Sequence, residues 1–295
     1  MDSSKRPYLF AGLAILFWST VATSFKLALR ELDAFQLIFV ASGVTIVILC
    51  ILVIVQKKVH LFFAQTKKEL LFSALMGALN PLIYYVFLFK AYTLLPAQLA
   101  QPVNMVWPIV LTLLSIPMLK QKIHWIHFVA LGISFTGVIF ISSQGSINGF
   151  RNTNLEGIAF ALLTSVIWPL YWILNVKDKR DEIIKLFSGF IFGFIFLAIA
   201  VFLFSDFHLP DGLSLYAAIY TGIFEAGVTY ILWMYAMKLS KNNAKIGNLV
   251  YVAPFISLIF IRLILKETIF ITTFIGLLFI VGGILIQQIK TIRLN

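Results

Sequence analysis

The chain has 295 residues, of which 61% are hydrophobic and 12% charged, with a mean hydropathy of +0.98 and a formal net charge of +11. A water-soluble fold needs a polar, charged surface, so soluble globular, disordered and fibrous classes are excluded. The apolar runs are long and continuous, which fits membrane-spanning helices and not the alternating strands of about 10 residues found in a barrel.

Ten runs are long enough to be predicted membrane helices: 8–29, 34–55, 70–91, 96–118, 124–142, 155–175, 183–204, 213–237, 243–265 and 269–289. The first follows a short polar stretch and runs straight into Lys26 and Arg30. It reads as a retained helix and not as a cleaved leader, whose core is shorter and ends in small residues. The single cysteine, Cys50, lies inside the second run, so no intrachain disulfide is possible and a small buried side chain is expected. The fourth run carries Pro102, Pro108 and Pro117, which membrane helices tolerate where neighbours satisfy the freed carbonyls.

Ten spans put both termini on one side. On that count 17 Lys and Arg fall on the side of the termini and 6 on the other: Lys26, Arg30, Lys90, Arg151, Arg262 and Lys266. The bias predicts a multi-pass protein of the inner (plasma) membrane with both termini cytoplasmic. The bilayer is therefore the expected partner of the positive charge. Nucleic acid is not, because no basic stretch is long or interleaved with aromatics.

The chain also repeats itself. A shift of 145 residues aligns Leu70 with Leu215, Gly77 with Gly222, Tyr85 with Tyr230, Ala91 with Ala236 and Leu94 with Leu239. A shift of 146 aligns Pro108 with Pro254, Leu119-Lys120 with Leu265-Lys266, Ile123 with Ile269, Phe128 with Phe274, Leu131 with Leu277 and Gly137 with Gly283. Two repeats follow, 1–146 and 147–295, with five helices each. An odd number per repeat inverts the second through the membrane, an arrangement common in secondary transporters.

Gly12 with Trp18, Gly157 with Trp168, and the duplicated unit of Pro108, Lys120-Gln121-Lys122 and Gly137 against Pro254, Lys266-Glu267 and Gly283 carry a resemblance. The chain resembles the drug/metabolite transporter superfamily in its EamA-type, ten-helix branch. Trp18-Ser19-Thr20, the run from Asn104 to Thr112, and Gln121-Lys122-Ile123-His124-Trp125 are similar to the aromatic-amino-acid exporter subgroup, including Gln121 where many EamA proteins have Glu. The resemblance implies an all-α integral membrane protein: ten transmembrane helices as two inverted five-helix repeats around a central cavity. It further implies efflux of small metabolites, often amino acids, by alternating access without ATP. The first, third, fourth, sixth, eighth and ninth helices would line the cavity.

Polar groups are costly in hydrocarbon, so their helical phase marks the face turned to protein or to a water-filled path. In the fourth helix Gln98, Gln101, Asn104, Pro108, Thr112 and Ser115 fall within an arc of about 120°, at about 100° per residue, and read as cavity lining or as interhelical hydrogen bonding. In the eighth, Thr221, Glu225, Thr229 and Trp233 recur every four residues. Glu225 is the one acidic residue placed deep in a predicted span, about 17 Å along its helix. A carboxyl there can carry a proton in step with substrate, pair with a substrate ammonium, or be a hydrogen-bonded structural group. Its counterpart in the first repeat is Asn80, and Tyr84 stands opposite Thr229.

Trp18, Ser19 and Thr23 of the first helix, Trp107 of the fourth, Thr164 and Trp168 of the sixth, and Asn248 and Tyr251 of the ninth complete the predicted substrate cavity. Aromatic walls suit apolar or aromatic substrates and can hold a cation on a ring face. Lys26, Lys90 and Arg262 lie near outer ends and are expected to snorkel, with Lys26 also a candidate partner for a substrate carboxylate. Pro108 and Pro254 each remove a backbone hydrogen bond and are candidate kinks or hinges.

No phosphate-binding loop, zinc-protease motif or nucleophile elbow is present, so ATP-driven transport and hydrolytic chemistry are not expected. His124 and His127 could share a helical face, but a metal site needs more ligands than that pair, so no cofactor or metal is expected. The expected partners are a small-molecule substrate and, through Glu225, the proton. Uptake or exchange of another metabolite, an intramembrane enzyme, and a non-transporting assembly partner are the alternatives. The oligomeric state is not legible.

Overall fold

The computed structural model describes residues 6–119, 125–206, 210, 212–240, 246–247 and 249–293. Gln121, His124 and Asn248 lie outside the described residues. Among the described residues the chain is helical and contains no strand. Six helices are long and apolar enough to cross a membrane: Arg6–Ala28, Ala34–Val55, Lys67–Leu94, Leu155–Lys177, Glu182–Phe204 and Leu213–Leu239. Shorter apolar helices lie at Phe128–Ser142, Val250–Leu265 and Ile271–Ile286.

The chain forms two compact units, one from Met1–Val86 with Asp178–Phe260 and the other from Phe87–Lys177 with Ile261–Asn295. Each draws on both halves of the sequence.

In the first unit, α1 (Arg6–Ala28), α2 (Ala34–Val55), α3 (Val59–Phe63) and α4 (Lys67–Gly77) precede a π-helical turn, Ala78–Ile83, and then α5 (Tyr84–Leu94) begins. The starts of α2 and α4 are built by capping boxes. Asp33 accepts from Gln36 N at 2.9 Å while Gln36 Oε1 accepts from Asp33 N at 3.1 Å, and Thr66 pairs with Glu69 in the same way.

The third predicted helix is not one rod. Asn80 leaves the helical region at φ −150°, ψ 117°, just before Pro81. Proline has no N–H to offer the preceding turn and pushes the residue before it toward extended backbone, so the helix breaks where the two meet.

The second unit holds the rest of α5, then α6 (Ala97–Asn104), α7 (Trp107–Leu119), α8 (Trp125–Ser142), α9 (Ile147–Asn152) and α10 (Leu155–Lys177). The first unit resumes with α11 (Glu182–Phe204), α12 (Leu213–Thr221), a second π turn at Gly222–Gly227, α13 (Val228–Leu239), a 3-10 turn at Val250–Val252 and α14 (Ala253–Phe260). A third π turn, Ile261–Leu265, leads to α15 (Ile271–Arg293) in the second unit.

Within the first unit α11 packs on α2 and α4, and α1 packs on α12, α13 and α14. Gly77 and Gly222, aligned in the repeat, make two of these approaches possible. A Cβ on Gly77 would lie 2.3 Å from the Gly189 carbonyl oxygen, and one on Gly222 would lie 2.5 Å from that of Ala41. The expectation that these glycines admit close helix contact holds at both. Within the second unit α8 packs along α15, and α10 packs on α6 and α7.

Candidate functional site

The eighth predicted helix is broken at its centre, and the break creates the site. The π turn Gly222–Gly227 carries Glu225, and Gly227 departs from helical backbone at ψ −100°. A wide turn of this kind leaves backbone carbonyls without their usual amides. Three side chains take them up. Thr45 Oγ1 donates to Gly222 O at 2.9 Å, Thr229 Oγ1 to Phe224 O at 2.5 Å, and Trp18 Nε1 to Glu225 O at 3.2 Å. Two of the three, Trp18 and Thr229, are predicted site residues, and here they hold the turn that presents Glu225.

The Glu225 carboxyl is half-buried and accepts a hydrogen bond from Tyr85 Oη at 2.9 Å. Tyr85 itself is buried, and its ring lies edge-on to that of Tyr84 at 4.8 Å. The Trp18 ring stands 5.3 Å from Trp233 and 6.2 Å, edge-on, from Tyr230. The first unit thus gathers Trp18, Glu225, Thr229 and Trp233 from the predicted set and adds Tyr85 and Tyr230. These two tyrosines align with each other in the repeat, a signal that marked the repeat but not the site. Between the carboxyl, the phenols and the indoles, this cluster can hold a proton, or a cation flanked by electron-rich rings.

Asn80, aligned with Glu225, sits at the other broken helix of the same unit. Its side chain is buried and its Oδ1 has no hydrogen-bond partner among the described residues. Thr23 is buried with its Oγ1 likewise unpaired. Ser19 and Thr221 of this unit are hydrogen-bonded within it. Ser19 Oγ bonds its own helix at Ile15 O over 2.6 Å. Thr221 Oγ1 bonds Ala217 O at 2.9 Å and meets Ser24 Oγ at 3.1 Å, joining α12 to α1. Tyr251 is buried in the 3-10 turn that precedes α14.

In the second unit the expected continuous stripe of the fourth helix is interrupted. α6 ends at Asn104 and α7 starts at Trp107. Pro108 cannot donate to the Asn104 carbonyl, and Ser165 Oγ of α10 stands 3.1 Å from it, with Ala161 O at 3.1 Å and Val103 O at 3.3 Å sharing its one hydrogen. The Asn104 side chain bonds Thr164 Oγ1 at 2.8 Å, so two predicted residues are paired directly.

Gln98 is fully engaged: Nε2 donates to Thr268 O at 2.6 Å, and Oε1 accepts from Thr273 Oγ1 at 3.1 Å and Phe270 N at 3.3 Å. Glu267 caps the start of α6, accepting from Ala97 N at 2.9 Å and Gln98 N at 3.2 Å. Gln98 is therefore interhelical glue, the second of its two readings. Gln101 is buried with an unpaired Oε1. Trp107 is half-buried, and Trp168 stacks on Tyr171 at 5.8 Å. Pro254 is the second residue of α14, as Pro108 is of α7. In both helices the chain interrupts its α-helix just before the proline.

The family model of the EamA-like transporter family matches residues 5–143 and again 155–287. The chain belongs to the EamA-like transporter family. The two matched segments cover almost the whole sequence. An uncharacterized transporter of Clostridium kluyveri is 28% identical, over 99% of this chain and 96% of its own length. A second, from Archaeoglobus fulgidus, is 23% identical over 97% of this chain and 99% of its own. The aromatic amino acid exporter YddG of Ancylobacter novellus is 25% identical over 59% of this chain and 61% of its own length. A crystal structure at 21% identity covers 98% of both chains with a TM-score of 0.67, a likeness of fold. This EamA protein is a multi-pass membrane protein of a family of transporters, and transporters are not enzymes.

Proposed function

We infer that this EamA protein is a secondary active transporter that moves small organic metabolites across the inner membrane by alternating access. Efflux of amino acids with aromatic or apolar side chains is the best-supported cargo. The reading takes the chain as ten spans, both termini cytoplasmic, in two inverted halves at 1–146 and 147–295. The observation that carries it is the carboxyl of Glu225, held by Tyr85 on a broken helix beside the rings of Trp18, Tyr230 and Trp233. Broken helices are where transporters place substrate and coupling-ion sites. A carboxyl there can accept a proton when substrate leaves and release it when an ammonium group arrives. The rings supply apolar contact to the rest of the molecule. The partial match to an aromatic amino acid exporter supports the same cargo.

The oxygens of Asn80 and Thr23 in the same unit, without a partner among the described residues, supply further polar contacts for substrate or for water travelling with it. The test is flux of labelled amino acids by the purified chain in liposomes. Efflux of tryptophan, phenylalanine or leucine well above that of aspartate supports the cargo. Flux of none of these overturns it.

A further inference from the structure

The connection between α2 and α4 is built as a foot, with its own helix and a surplus of positive charge. α2 closes in a left-handed turn: Lys57 N donates to Ile54 O at 2.9 Å and Lys58 N to Val53 O at 2.9 Å. The residue at the left-handed position is Lys57, with φ 56°. That position ordinarily takes glycine, because a side chain there is strained.

The helix that follows, Val59–Phe63, contains no buried residue. Phe62 packs inward on Phe187 of α11, ring to ring at 5.1 Å. Phe63 points out and is 79% exposed, with Val59 and Leu61 at 40% and 38%.

Charge at this end is divided unevenly. The acidic groups are used up within the protein. Glu69 accepts from Thr66 N at 2.7 Å and from Thr66 Oγ1 at 2.8 Å. Asp178 grips Arg180 at 2.6 Å, Asp181 holds Lys58 at 2.7 Å, and Glu182 holds Lys185 at 2.9 Å. Arg180 is further fixed by Gln65 Oε1 at 2.6 Å and Ser73 Oγ at 2.8 Å. Lys57, Lys67 and Lys68 remain exposed, and His60 with them.

The geometry points to a binding site for anionic phospholipid. Phe63 and Leu61 enter the acyl boundary, and Lys57, Lys67 and Lys68 meet the phosphate headgroups. Three facts favour a lipid over any other occupant. The foot joins two helices long enough to cross the membrane, so it stands at the edge of the bilayer. Its exposed aromatic and aliphatic groups need apolar contact. Its unpaired charge is of the sign that anionic headgroups attract. Through Phe62, Lys58 and Gln65 the bound lipid would brace α11 and the 178–181 connection.

The test is a titration of the purified full-length chain in detergent with dioleoylphosphatidylglycerol or dioleoylphosphatidylcholine, read as apparent Tm. Phosphatidylglycerol should raise Tm at lower concentration than phosphatidylcholine. Lys57→Gly should keep its Tm in phosphatidylcholine, since glycine suits the left-handed turn, yet need about fivefold more phosphatidylglycerol for half the shift. Adding Lys67→Gln and Lys68→Gln should abolish the preference. Equal titrations of wild type and triple variant, or equal shifts by the two lipids, would overturn the proposal. A full shift with glycerol 3-phosphate alone would overturn the lipid assignment and leave a soluble-phosphate site in its place.

Discussion

Tyr85 donates its phenolic hydrogen to the Glu225 carboxyl over 2.9 Å, joining the helix after one backbone break to the centre of another. The two residues stand on elements the repeat makes equivalent, and Asn80 holds the place of Glu225 on the first. The unit therefore carries a carboxyl at one break and, at the other, an amide whose Oδ1 has no partner among the described residues. If Glu225 is the exchange group, Tyr85→Phe removes a hydrogen bond to an ionisable partner, worth about 1.5–3 kcal/mol. Flux in liposomes, compared at equal amounts of folded protein, should fall about tenfold or more, and Tm in detergent should fall with the loss of that bond.

The close approach at Gly77 and Gly222 predicts two destabilised variants and one silent control. Gly77→Ala and Gly222→Ala place a methyl group against backbone oxygens, which cannot move aside as a flexible side chain can. Each should cost about 1–3 kcal/mol. Gly12→Ala meets nothing within 4 Å and should leave Tm unchanged. Thermal unfolding of the three purified variants checks this.

Ser165 and Pro108 should be energetically coupled. Ser165→Ala leaves the Asn104 carbonyl without the donor that Pro108 cannot supply, at a cost of about 1–2 kcal/mol. In Pro108→Ala the backbone regains an N–H, so the same Ser165→Ala change should cost less. A double-mutant cycle on Tm should give a coupling of about 0.5–1 kcal/mol; strict additivity would show that the hydroxyl does not substitute for the missing amide.

Acid should loosen the 178–181 connection. Burial alone would raise the Asp178 carboxyl, but the hydrogen bonds and charge of Arg180 outweigh it and hold Asp178 below its ordinary value of 3.8. A carboxyl lowered by folding stabilises the protein above its unfolded value, and that contribution is lost as pH falls through the lowered one. Asp178→Asn should thus lower Tm at pH 7, and the difference from wild type should shrink as pH falls below the ordinary carboxyl value. A constant difference at every pH would show that the ion pair is not the cause.

The six long apolar helices were legible because each depends on a long apolar run, which residue type alone reveals. Their breaks were not. Pro81, Gly222 and Gly227 show where a helix can part, but whether it does depends on partners such as Thr45 and Trp18 that donate to the exposed carbonyls. That is also why Tyr84 stood in the predicted set in place of its neighbour. The break before Pro81 resets the helical phase and turns Tyr85 to the carboxyl. Glu225 was legible, as an acid deep in an apolar run. Gln98 had the right phase for a cavity, and only its bonds to residues about 170 positions away show it to be structural.

The most direct test of the account is uptake of labelled phenylalanine or tryptophan into liposomes under an imposed pH gradient, with wild type and Glu225→Gln compared at equal amounts of folded protein. The account predicts gradient-driven accumulation by wild type and none by Glu225→Gln. Equal gradient-driven accumulation by the two would contradict it.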